Sequence, residues 1–190
     1  MVAVRCRGAW DKAAALGEGP WFDRGTDKPS ARKFAGRVAH DGRHLYLELT
    51  DFCDPKKLAT AAKVFPCDDW EVFVAAQRAV PYRQYAVGPS GQVVALAHGE
   101  VNWRMNVDIA ESGVRAASDT KAADRWTVRL AIPLKTAIPG GVAPGGKVYL
   151  NVVRVSSGAV WGGDGLGLDT LVSFCSVHDV DRLAEIALAP

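Results

Sequence analysis

The chain has 190 residues and a mass of 20.3 kDa, the size of one domain able to bury a core without a metal or a disulfide staple. Apolar residues make up 48% and charged residues 23%, and 23 Lys and Arg against 21 Asp and Glu leave a net charge of +2. That composition excludes disorder and fibrous repeats, and the charge is no footprint for nucleic acid or an anionic membrane. The longest apolar runs, such as residues 93–97, fall far short of the roughly 20 residues of a membrane-spanning helix.

In chain order, residues 11–16 (DKAAAL) carry helix formers and predict a short helix. His40 and His44 have metal-like spacing, but the turn dipeptide Asp41-Gly42 between them argues against a shared ion. Residues 44–51 (HLYLELTD) alternate strictly and predict a strand with Leu45, Leu47 and Leu49 on one face. Residues 55–63 (PKKLATAAK) predict a second short helix, capped by Asp54 ahead of Pro55. Further strands are expected over residues 70–75, 101–109, 125–132 and 148–155, with a turn at Ser90-Gly91. About ten short strands separated by turns predict an all-β, antiparallel sandwich in a single domain over residues 1–190. Residues 156–170 (SSGAVWGGDGLGLDT) form a long loop with five glycines and one aromatic, Trp161. No strand–GxGxxG–helix unit exists, so a nucleotide fold is excluded.

The four cysteines, Cys6, Cys53, Cys67 and Cys175, include no CxxC pair, which removes zinc-ribbon and thioredoxin-like readings. Two readings stay open. Either Cys53 pairs with Cys67 and Cys6 with Cys175, or the thiols are free and pack as small hydrophobes.

The order of landmarks is informative: WDKA at 10–13, VAHD at 38–41, DDWEVF at 68–73, YAVGPSG at 85–91, WTVRLAIPL at 126–134 and LNVVR at 150–154. This series resembles the family 9 carbohydrate-binding modules, a branch of the DOMON-like sandwiches, over nearly the whole chain. The resemblance implies a non-catalytic module that binds a poly- or oligosaccharide, often calcium-stabilised, within a secreted carbohydrate-active protein. The expected location is therefore extracellular or periplasmic, as a monomer or one module of a longer chain. Residue by residue, Glu71 matches the carboxylate that bonds the glycan, Phe65 the stacking aromatic six residues before it, and Gln84 the amide on the following strand. Ala86 stands where the family has an Arg, and Arg83 is the nearest substitute.

Sugars bind through ring stacking on aromatic faces and hydroxyls shared by Glu, Gln, Asn and Arg. On that chemistry Trp103, among polar neighbours, and Trp161, in the Gly-rich loop, are further candidate platforms, and Tyr82-Arg83-Gln84 gathers stacking and donor groups in one triplet. Trp10 and Trp126 are expected in the core, and Trp70 on the opposite side of its strand from Glu71. Asp51, Asp54, Asp68 and Asp69 cluster around one predicted loop as candidate calcium ligands, with Asp164 and Asp169 around another. Nothing nominates an acid opposite Asp68, Asp69 or Glu71, so glycoside hydrolysis is not expected. Two rival functions remain: a haem or redox module, with Met105 and either His98 or His178 as the axial pair, and a structural docking domain.

Overall fold

The computed structural model describes residues 2–5, 13–16, 21–23, 26–65, 67–99, 104–143, 145–157, 167–173, 176 and 178–190. The alternating apolar residues close into two sheets packed face to face, a β-sandwich. The first sheet contains β2 (Ala14–Ala15), β4 (Phe34–His40), β5 (His44–Asp51), β10 (Arg115–Asp119) and β11 (Trp126–Pro133), with neighbours in the order β10-β11-β5-β4. The second contains β3 (Phe22–Asp23), β6 (Asp69–Ala75), β7 (Tyr82–Val87), β8 (Val93–His98), β9 (Met105–Val107), β12 (Lys147–Ser156), β13 (Gly167–Thr170) and β14 (Ala184–Leu188). Its order is β14-β12-β6-β7-β8-β9. One strand belongs to both: β1 (Val2–Arg5) runs parallel to β14 through Val2 and Ala3, and parallel to β4 through Val4 and Arg5.

Period-two patterning sets the register. Leu45, Leu47 and Leu49 of β5 oppose Ile132, Leu130 and Val128 of β11, and all six side chains are buried. From the second sheet Trp70, Val72 and Val74 of β6 and Val148, Leu150 and Val152 of β12 complete the same core. At its centre Trp70 packs edge-on to Trp21 at 5.5 Å and Phe34 at 5.7 Å, and its ring centroid lies 6.2 Å from that of Trp126. Truncating either fully buried Trp to Ala would cost about 3–5 kcal/mol. The turns at Asp41-Gly42 and Ser90-Gly91 form as expected, with Gly42 and Gly91 at φ of 85° and 83°, where a side chain would be strained.

Several elements differ from the sequence reading. Ala14 and Ala15, within the expected first helix, instead pair with Val38 and Arg37 of β4, and Leu16 donates to the Gly36 carbonyl. Here an open sheet edge wins over helix propensity. The expected second helix is only a single 3-10 turn, Pro55–Lys57, with Asp54 accepting from the Lys56 amide as its cap. The strand expected over 101–109 is confined to β9 among the described residues, followed by a one-turn helix α1 (Ile109–Ser112) capped by Asp108. A second short helix, α2 (Leu134–Ala137), follows β11. Part of the Gly-rich loop, Gly167–Thr170, is a strand paired with β12 and β3. Cys53 and Cys67 are both free, so that pairing does not form. Cys67 is buried with its Sγ toward the Lys63 carbonyl. Cys6 and Cys175 lie outside the described residues.

Candidate functional site

The two sheets differ on their outer faces. Along β5 burial alternates regularly, so Tyr46, Glu48 and Thr50 face water. Every residue of β6 is buried, although Asp69, Glu71 and Phe73 point away from the core that Trp70 and Val72 fill. A second hydrophobic cluster covers this outer face, formed by Phe73, Ala75, Tyr82, Val153, Val155, Leu168 and Leu183. His178, upstream of Leu183, packs edge-on to Phe73 at 5.6 Å and lies 5.1 Å from the His98 ring.

Beside this apolar roof lies a chain of buried polar groups. Gln84 and Glu71 are 4% and 7% exposed. His98 Nε2 lies 2.8 Å from Gln84 Oε1, and since a carbonyl oxygen can only accept, the imidazole donates. That fixes the Gln84 amide with its NH2 free to donate to the Glu71 carboxylate, which it does. Tyr82 stacks flat on His98, centroids 4.4 Å apart and planes within 4°, and its hydroxyl lies 2.8 Å from His178 Nδ1. Arg104, at the rim, stands over the half-buried Phe65 ring at 5.6 Å and acts electrostatically on Glu71.

Burial pushes the Glu71 carboxyl above the usual carboxylate range, with Arg104 and the Gln84 hydrogen bond pulling it back. Asp69, two residues earlier on the same face, is raised first by burial and then by the Glu71 charge, against which Arg154 acts. Its Oδ1 has no hydrogen-bond partner among the described residues. The two acids titrate as a pair, and Asp69, lacking a donor like Gln84, is the member that holds its proton longer.

Phe65, Glu71 and Gln84 of the expected glycan contacts therefore come together. The triplet Tyr82-Arg83-Gln84 does not act as one unit, because alternation sends its middle residue to the other face. Arg83 opposes Val74 and Ala97 and lines a separate cavity with Tyr85. Tyr82 is 5% exposed, sandwiched into the aromatic cluster, and offers no open platform. Trp103 and Trp161 lie outside the described residues, as do Trp10 and Asp164. The sequence reading missed Arg104, and beyond surface or core roles it gave His98 and His178 no function except as haem ligands. Each is separated in sequence from its partners, and only strand parity could have placed His98 on the face of Gln84.

The candidate calcium ligands do not converge. Asp51 and Asp68 face a cation supplied by the chain: Arg154, fully buried, donates from Nε to Asp51 Oδ2 at 2.9 Å and pairs through Nη2 with Asp68 Oδ1 at 2.9 Å. Arg32 adds a 2.5 Å contact to Asp51 and pairs with Asp169 at 3.4 Å. Asp54 is spent as a turn cap in solvent, and Asp69 lies on the outer face beside Glu71. No group of three or more His, Cys, Asp or Glu suited to a metal occurs among the described residues. The haem pair of the rival reading fails on geometry. Met105 opposes Ala97, on the other face of the sheet from His98, whereas His178 packs on the His98 side. For a docking domain, the one large hydrophobic exposed among the described residues is Met105.

No protein-family model matches the chain, and no curated protein does. Solved structures do. A candidate carbohydrate-binding protein from Bacteroides uniformis ATCC 8492 superposes with a TM-score of 0.74 at 12% identity, covering 98% of this chain and 97% of that one. A family 9 carbohydrate-binding module from Caldicellulosiruptor kristjanssonii in complex with cellotriose gives a TM-score of 0.59 at 12% identity, covering 100% of this chain and 89% of that one. The same organism's family 9 module in complex with glucose gives 0.60 at 12% identity, with coverage of 99% and 90%. The chain has the fold of these modules. No helix among the described residues is long and apolar enough to cross a membrane.

Proposed function

We propose that this sandwich binds a glycan without transforming it, as a module of a secreted carbohydrate-active protein. The observation that carries the reading is the chain Glu71–Gln84–His98, buried on the outer face of the second sheet with Arg104 and Phe65 at its rim. A carboxylate, an oriented amide and a guanidinium together accept from and donate to vicinal hydroxyls, and Phe65 adds an apolar plane for the C–H edge of a sugar ring. His98 acts as a positioning residue, since it fixes which end of the Gln84 amide faces Glu71. The fold shared with modules solved in complex with cellotriose and glucose supports the same ligand class.

Catalysis is not part of the proposal. Glycoside hydrolysis places two carboxyls on opposite sides of the scissile bond. Asp69 and Glu71 are instead alternate residues of one strand, side by side on one face. Their raised protonation follows from burial and proximity.

The test is a glycan array followed by calorimetric titration of the best hit, with wild type and Glu71→Gln compared. Binding weakened about tenfold or more in Glu71→Gln, with a melting transition no lower than that of wild type, supports the reading, since removing one charged acceptor loses about 1.5–3 kcal/mol. Equal affinity in both proteins overturns it.

A further inference from the structure

A polar cavity lies on the far side of β7 and β8 from Glu71. It has a volume of about 240 Å³ and opens between these strands, β9 and the two short helices α1 and α2. Its polar groups are Arg83, Tyr85, Glu111 and Thr136, and Ala95 and Val107 form an apolar wall.

Counting donors and acceptors shows what is unused. Thr136 spends its hydrogen on the Ser112 carbonyl at 2.6 Å, which leaves its oxygen lone pairs to accept. Arg83 makes no hydrogen bond or ion pair through its guanidinium among the described residues, although Glu111 lines the same cavity. The Tyr85 hydroxyl likewise has no hydrogen-bond partner among the described residues. Burial holds Tyr85 as the neutral phenol, and the Arg83 charge acts on it. A half-buried cation and an acid that share a cavity without meeting leave donors and acceptors for a third party.

From this arrangement we infer that the cavity is a second ligand site, one that takes a single neutral sugar ring. The charges of Arg83 and Glu111 cancel, so the site selects no net charge. A sugar hydroxyl accepts from Arg83 while another donates to Glu111, Tyr85 supplies a further donor, and Ala95 with Val107 faces the ring's C–H groups. The volume equals the liquid share of roughly eight waters, the scale of one hexose. This site shares no residue with Glu71, Gln84 and Phe65, so it makes the module bivalent and stands independently of the proposed site.

Ligand-observed saturation-transfer NMR tests it, with glucose, galactose, mannose, xylose and, as a zwitterion, glycine at millimolar concentration. The protein is Glu71→Gln, in which the other site is weakened about tenfold or more. At least one sugar should still receive saturation, and adding Arg83→Leu, or separately Glu111→Gln, should reduce that signal severalfold. Glu111 is exposed, so its variant retains the fold even if Arg83→Leu does not. No sugar signal in Glu71→Gln, a signal that neither added substitution reduces, or saturation of glycine alone overturns the inference. Failure of the Glu71 site appears elsewhere, as equal affinity of wild type and Glu71→Gln in calorimetry.

Discussion

The buried Arg154 cluster and the buried polar chain at Glu71 are built from the same residue types, yet they differ in how directly cations answer their acids. At the end of the core, Arg154 and Arg32 answer Asp51, Asp68 and Asp169, and the Arg154 guanidinium lies 4.8 Å over the Trp126 ring. Two guanidiniums there contact all three carboxylates, and the cluster ties β5, β12 and the approach to β6 together. On the outer face, Asp69 and Glu71 form no ion pair among the described residues; Arg104 acts on Glu71 and Arg154 on Asp69, and burial pushes both acids toward protonation. Acids held in direct ion pairs close a structure, whereas unpaired acceptors next to fixed donors are what a polar ligand can use.

The largest effect should come from breaking the ion-paired cluster. Arg154→Met leaves Asp51 and Asp68 without their buried cation and should cost about 3–5 kcal/mol in urea unfolding. A loss below about 1 kcal/mol would mean Arg32 alone neutralises the site. Next, Phe65→Ala should lower glycan affinity by about 0.5–1.5 kcal/mol with little change in melting, because the ring sits at the rim. Unchanged calorimetric affinity would remove Phe65 from the site.

The two acids of the outer face predict a pH effect of definite sign. Unfolded, both acids titrate near about pH 4. Folded, both are raised, so above that pH the native state holds protons that the unfolded chain has released. Their contribution to stability is complete below about pH 4 and is lost as pH rises toward the raised values. His178, lowered by burial and Arg104, works in the opposite direction below its ordinary value, so the comparison must be differential. The melting temperature of Asp69→Asn minus that of wild type should grow between acid and neutral pH. A constant difference would show that folding does not raise the Asp69 carboxyl. The smallest effect belongs to the water-facing side of the first sheet. Arg129→Ala removes the 2.7 Å pair with Glu48 and should cost under about 1 kcal/mol, with glycan binding untouched.

The strands were legible because period-two alternation registers one buried face, as in residues 44–51 and 126–133. What alternation says about function was harder to apply. Tyr82, Arg83 and Gln84 look like one functional triplet in sequence, yet the pleat sends Arg83 to the opposite face, where it lines a cavity the other two do not share. The acids 51, 54, 68 and 69 look like a cation site because the cation that answers two of them, Arg154, lies some hundred residues away in the chain. Ala14 and Ala15 looked helical because local propensity cannot see the edge of β4. In each case sequence neighbourhood was read as spatial neighbourhood, and long-range pairing decided otherwise.

The strand shared by both sheets has a consequence for how the molecule assembles. Val2 pairs with Ala187, and Val4 with Ala39, so the seam between the layers joins segments from opposite ends of the polypeptide. Loops of that length close slowly, and sandwiches ruled by such distant pairings acquire their native form in milliseconds to seconds. Until strand 184–188 is available, residues 2–5 have only half of their hydrogen-bonding template, and the two layers stay unstitched along that border.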